Sequence, residues 1–311
     1  MVSSELAIGV IFLSQTIVGF LGNFFLLYHY SFFCITGFTL RSTDLIMKHL
    51  AVANSLVILF KGIPHALTTF VLKQYLSNIE CKVFFYIHRV GRGVSLGSTC
   101  LLSIFQAIIM SPRNTRWAEL KLQAPKYIRT FSILCWILNM LVNIPVHVYI
   151  TAKWNSKNGT KKIDYGYCSW TVSNRAARPL HTLLFSFYDI LCLGLMTWAS
   201  GSMAVILYRH KQQVQHIHGT NLSPRPSPES RATQSILILV STFASFYTLS
   251  TIFSLYMSFY NPGSWVGDTS SLITACFPTV SPFVLMSRDP RISRLGSACY
   301  RRKTQFSELV R

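Results

Sequence analysis

Seven long apolar blocks govern what this chain can fold into, with most of its charge confined to the stretches between them. A bilayer's hydrocarbon core is about 30 Å thick and takes about 20 mostly apolar helical residues to cross. The pattern predicts spans at 7–33, 45–70, 82–110, 129–150, 179–208, 233–258 and 268–287. It leaves little room for a soluble domain. The 311 residues therefore read as one seven-helix transmembrane domain (1–311), with 288–311 as a cytoplasmic tail. Only 13% of residues are charged and 50% are hydrophobic, against about 25% charged in soluble domains. The first block is too long for a signal-peptide core and reads as helix one.

The net charge of +19 would suggest nucleic acid in a soluble protein, but here its placement explains it. With the N-terminus outside, the inner segments hold eighteen Lys and Arg and the outer segments eight. The positive-inside rule selects that orientation, so the basic excess is topological and nucleic-acid binding is not expected. Attraction to anionic lipid of the inner leaflet is a by-product.

The same topology sorts cysteines and sequons. Of eight Cys, most lie within apolar blocks and read as small core residues. Cys81 stands at the outer start of span three and Cys168 in the outer loop between spans four and five. The outside is oxidising, so a Cys81–Cys168 disulfide is permitted and would pin that loop over the bundle; two free thiols are the alternative. Of the sequons at Asn158 and Asn221, only Asn158 lies outside and is expected to carry glycan. Pro278 and Pro282 predict an irregular inner half of span seven, and Ser223–Pro228 a non-helical inner loop. Ile292, Leu295 and Cys299 fall at helical spacing among arginines, which predicts a short helix on the inner membrane face, with Cys299 a weak palmitoylation candidate.

Five of the ionisable groups inside spans carry most weight: Lys61, His65, Arg89, Arg92 and Asp189. Charge inside a membrane is costly and marks a functional site by default. At 1.5 Å per residue, Arg92 lies about 16 Å below Cys81, and Asp189 about 15 Å below the start of span five. Equal depth from one side predicts an Arg92–Asp189 pair, with His88 and Arg89 one turn above. The pair either lines a ligand cavity or fixes the packing of spans three and five, and the two roles are compatible. Lys61 and His65, four residues apart, share a helix face towards the same cavity, unless Lys61 snorkels to the interface. Phe246, Tyr247 and Tyr256 are candidate cavity walls, with plain core packing the alternative. No enzyme motif, cofactor site or clustered metal ligand is present, and no internal repeat of the kind transporters carry.

Four segments then carry a resemblance. They are Lys48-His-Leu-Ala-Val-Ala-Asn54, Leu101-Leu-Ser-Ile-Phe-Gln-Ala-Ile-Ile-Met-Ser-Pro112, Asp164-Tyr-Gly-Tyr-Cys-Ser169, and Phe277-Pro-Thr-Val-Ser-Pro-Phe-Val-Leu-Met-Ser-Arg-Asp289. Together they resemble the vomeronasal type-1 receptors, within the wider G-protein-coupled receptor architecture. Departures from ordinary rhodopsin-like receptors agree: Phe105-Gln106-Ala107 stands at the Asp-Arg-Tyr place, and Asn54 replaces the span-two Asp. The resemblance implies a plasma-membrane chemosensory receptor for small volatile or steroid-like cues. It also implies coupling to an inhibitory-class heterotrimeric G protein, met by the inner end of span three at Phe105, Gln106, Ala107 and Pro112. A transporter or channel, or a receptor relic that no longer signals, is the alternative reading.

Overall fold

The structure is a computed structural model. It describes residues 2–35, 42–67, 70, 77–111, 117–145, 150–152, 162–164, 168–171, 177–218, 228–260 and 264–288. Within these, seven helices follow one another: α1 (Val2–Ile35), α2 (Ser42–Ala66), α3 (Asn78–Met110), α4 (Trp117–Val142), α5 (Ala177–His218), α6 (Pro228–Tyr260) and α7 (Ser264–Arg288). Five contain stretches long and apolar enough to cross a membrane: Leu6–Phe32, Ser42–Ala66, Asn78–Met110, Ser186–Arg209 and Thr269–Ser287. α6 carries a shorter apolar run, Leu237–Phe253. Leu21, Phe131, Phe187, Ile190 and Trp198 point outward and are exposed. Lipid can solvate that much apolar surface; water cannot.

Helix ends follow local chemistry. α3 starts in a capping box: the Ser77 hydroxyl accepts from the Glu80 amide (3.3 Å), and the Glu80 carboxylate accepts from the Ser77 amide (2.8 Å). Pro228 opens α6 at the position where a helix needs no amide proton; residues 223–227 of that Pro-rich stretch lie outside the described residues.

Two expectations are corrected. The apolar block 129–150 is not helical throughout. α4 ends at Val142 in a turn through Asn143 and Pro145, and Ile150 begins a strand. Helix α7 continues through both prolines to Arg288. Pro282 has no amide proton for the carbonyl four residues back, that of Pro278. The Asn23 amide of α1 donates to that carbonyl at 2.9 Å and to Gly19 at 2.7 Å. A neighbouring helix thus supplies the missing donor, as membrane bundles tolerate.

The segment between α4 and α5 contributes an antiparallel sheet of β1 (Ile150–Ala152), β2 (Lys162–Asp164) and β3 (Cys168–Thr171), with β3 central. Ile150 pairs with Trp170 and Asp164 with Ser169. Cys168, the first residue of β3, is bonded to Cys81 in the first turn of α3 (S–S 2.02 Å).

The core runs between the helices through Leu26, Leu50, Leu96, Leu102, Met196, Phe243 and Phe277. Phe243 stacks on Tyr247 (centroids 4.5 Å) and meets Phe277 edge-on (4.1 Å). One polar hub interrupts it. The Asn54 amide donates to Ser281 (3.0 Å) while its oxygen accepts from Ser95 (2.6 Å), which joins α2, α3 and α7 with no charge.

Candidate ligand site

α3 carries Arg89, Arg92 and Ser95 inside the bundle, and each of the three meets a polar group of another helix. Arg92 donates from Nη2 to Oδ2 of Asp189 on α5 at 3.0 Å, with both side chains 11% exposed. Its guanidinium lies over the Tyr247 ring of α6, 4.5 Å from the centroid. The Tyr247 hydroxyl returns a bond to the Arg92 carbonyl (2.9 Å). One arginine thus ties three helices through an ion pair, a cation–π contact and a hydrogen bond. In low dielectric each is stronger than in water, and each is costly to leave half-made.

A second polar seam lies beside it, between α3, α4 and α5. Tyr188 donates to the Gly93 carbonyl (3.1 Å) and accepts from Asn139 (3.2 Å). Arg89 donates from Nε to Asn143 Oδ1 (3.3 Å), and Asn143 donates to the Asn139 carbonyl (2.8 Å). The crevice among Arg89, Arg92, Asn139, Asn143 and Asp189 leaves about 20 Å³, the room of a single water. Sequence reasoning misses Asn139, Asn143 and Tyr188, although their signal is present: two amides four apart inside an apolar block, and a tyrosine next to the buried aspartate.

The other expected residues are placed as follows. Lys61 is buried at 5% exposure, which excludes snorkelling. It borders a narrow gap with Phe12, Gln15, Thr16 and Ala275, between α1, α2 and α7. His65 stacks face to face on Phe12 (3.9 Å). His88 is buried, and Lys61, Arg92 and Arg89 all act on it electrostatically. Phe246 packs half-buried against the core. Tyr256 corrects an expectation: it is 45% exposed on the bundle surface. It follows Tyr247 by nine residues, two and a half helical turns, so it faces the opposite side. Phe105 also differs from its expected outward place, being 7% exposed within the core. Gln106 and Ala107 are half-buried, while Pro112, Asn158, Asn221 and the tail helix around Cys299 lie outside the described residues.

Residues 6–298 match the model of the vomeronasal organ pheromone receptor family. The chain belongs to the vomeronasal type-1 receptor family. It is 64% identical to vomeronasal type-1 receptor 3 of Homo sapiens, over the whole of both chains. It is 56% identical to vomeronasal type-1 receptor 2 of Homo sapiens, covering 94% of this chain and 75% of that one. To vomeronasal type-1 receptor 90 of Rattus norvegicus it is 33% identical, over 91% of each. The family is one of receptors and not enzymes, and this vomeronasal receptor is a multi-pass protein of the plasma membrane. Its partners are those of a receptor, a ligand and a G protein.

Proposed function

We propose that this vomeronasal receptor spans the membrane seven times with its N-terminus outside, and detects small volatile or steroid-like molecules. The ligand enters between the outer halves of α2, α3, α5, α6 and α7, and an inhibitory-class G protein is activated at the inner ends. The observation that carries the reading is the buried Arg92–Asp189–Tyr247 knot, which makes the relative position of α3, α5 and α6 depend on one set of polar contacts.

The crevice at the knot has room for a water and not for a ligand, so binding goes with parting of the helices. A ligand shifts such an equilibrium only by its differential affinity for the open and closed arrangements. Groups competing for Arg92, Arg89 or Lys61 provide that difference. The inner end of α3, where Phe105 is packed in the core, then rearranges to meet the G protein. Ligand and G protein each tighten the other's binding.

The test is inhibitory G-protein activation in cells with receptor confirmed at the surface, against a panel of volatiles and steroids. A saturable response, shifted to higher concentration by Lys61→Ala, is the expected result. Solute flux or current in the absence of any G protein would contradict the reading and point to a transporter or channel.

A further inference from the structure

A guanidinium and a carboxylate can meet through two parallel N–H···O bonds, fork on fork. The Arg92–Asp189 pair makes one of them. Arg92 donates through Nη2 to Oδ2 at 3.0 Å. Its Nε, the other donor on that edge, is buried with no hydrogen-bond partner among the described residues. Asp189 Oδ1 likewise makes no hydrogen bond among the described residues. The guanidinium Nε–H only donates, and an ionised carboxylate only accepts. One donor and one acceptor of the pair are thus left over. A hydroxyl, which accepts from the first and donates to the second, completes the fork.

Space and access fit a hydroxyl. The crevice lined by Arg92 and Asp189 leaves about 20 Å³, the room of one oxygen and not of a whole molecule. Among the described residues, α4 and α5 both pack along α3 and hardly on each other. Tyr188 reaches across from α5 to Asn139 of α4. Val142 of α4 lines the crevice and is 38% exposed. Leu141 next to it and Ile190 next to Asp189 are exposed apolar side chains. An apolar body therefore has a place between α4 and α5, against walls that face lipid. Water is scarce in the hydrocarbon, and it would cover none of those walls.

We propose that the half-made Arg92–Asp189 fork is the polar end of a further binding site, reached from the lipid between α4 and α5, that takes the hydroxyl of an apolar alcohol. Two sources share this chemistry: a sterol of the bilayer, or a small alcohol dissolved in it. The site goes beyond the signalling reading, which places ligand between α2, α3, α5, α6 and α7. It is measured on receptor protein without any G protein, so either reading can fail alone.

The experiment follows thermal unfolding of the purified full-length receptor in sterol-free lipid nanodiscs. One arm adds menthol or its methyl ether, which accepts a hydrogen bond but cannot donate one. The other incorporates cholesterol or its methyl ether. Anything that binds the folded state alone raises the melting temperature with its concentration. A saturating rise of several degrees with an alcohol, absent with the matching ether, is the expected result. With menthol it assigns a small alcohol, and with cholesterol a resident sterol. The rise should disappear in Val142→Trp and in the milder Val142→Phe, which cover the mouth of the crevice. It should persist in Ile133→Trp, an exposed position nine residues earlier and so on the opposite side of α4. Equal melting with alcohol and ether in both arms would overturn the proposal and leave the crevice to a water. So would a rise of equal size in the Val142 variants, which would be an effect on the bilayer.

Discussion

At the scale of single residues, Arg92 carries the most consequence, because three different interactions converge on it from two other helices. They can be separated by substitution. Tyr247→Phe keeps the ring over the guanidinium and removes only the hydroxyl bond to the Arg92 carbonyl. It should cost about 1 kcal/mol of stability. Tyr247→Leu also removes the cation–π contact, worth about 2 kcal/mol when desolvated, and should lower the melting temperature further than Phe does. Chemical or thermal unfolding of the purified variants reads both. The ion pair was legible in the sequence because depth in a membrane is countable: Arg92 follows Cys81 by eleven residues, and Asp189 lies at matching depth on α5. The stacking of Tyr247 was not, since rotation about a helix axis follows from packing and not from depth. The same rotation separates Tyr247 from the exposed Tyr256, which nine-residue spacing alone could have warned of.

At the scale of elements, small residues decide how near two helices can come. A methyl group at Gly93 would collide with the Asn139 side chain of α4, and one at Gly97 with Cys135 and the Tyr188 hydroxyl. Gly194 and Gly201 of α5 have open space where a methyl would go. Gly93→Ala and Gly97→Ala should therefore reduce melting temperature and surface expression. Gly194→Ala and Gly201→Ala should be neutral or stabilise α5 by up to about 1 kcal/mol. Surface staining and thermal shift distinguish the two groups. Helix existence was legible from apolar block length, while helix ends were not. The block at 129–150 runs past the end of α4 because Asn143 and Pro145 break the helix while Ile150 keeps the hydropathy high. The prolines of α7 misled in the other direction. Their effect depended on Asn23, a donor on a helix 255 residues away in sequence.

At the scale of the whole molecule, the disulfide ties the sheet between α4 and α5 to the head of α3 across a separation of 87 residues. Chain-entropy arguments put closure of a loop that long at about 4–5 kcal/mol. Cys81→Ser and Cys168→Ser, alone or together, should give equal losses of surface receptor, because either one opens the same bond. Topology is tested by glycan. Asn158→Gln should abolish the glycosidase-sensitive shift in gel mobility and Asn221→Gln should leave it intact, whereas the reverse would invert the orientation.

The central claim is that the Arg92–Asp189 contact holds the bundle together at the place where ligand acts. Exchange of the two charges tests it most directly. Removing one partner strands a buried charge and should cost about 3–5 kcal/mol. Melting temperature and surface expression should therefore collapse in Arg92→Asp and in Asp189→Arg. The account predicts that the double exchange, Arg92→Asp with Asp189→Arg, recovers a large part of both. Double-exchange receptor no better than the worse single variant, or single variants that melt like the parent, would contradict it.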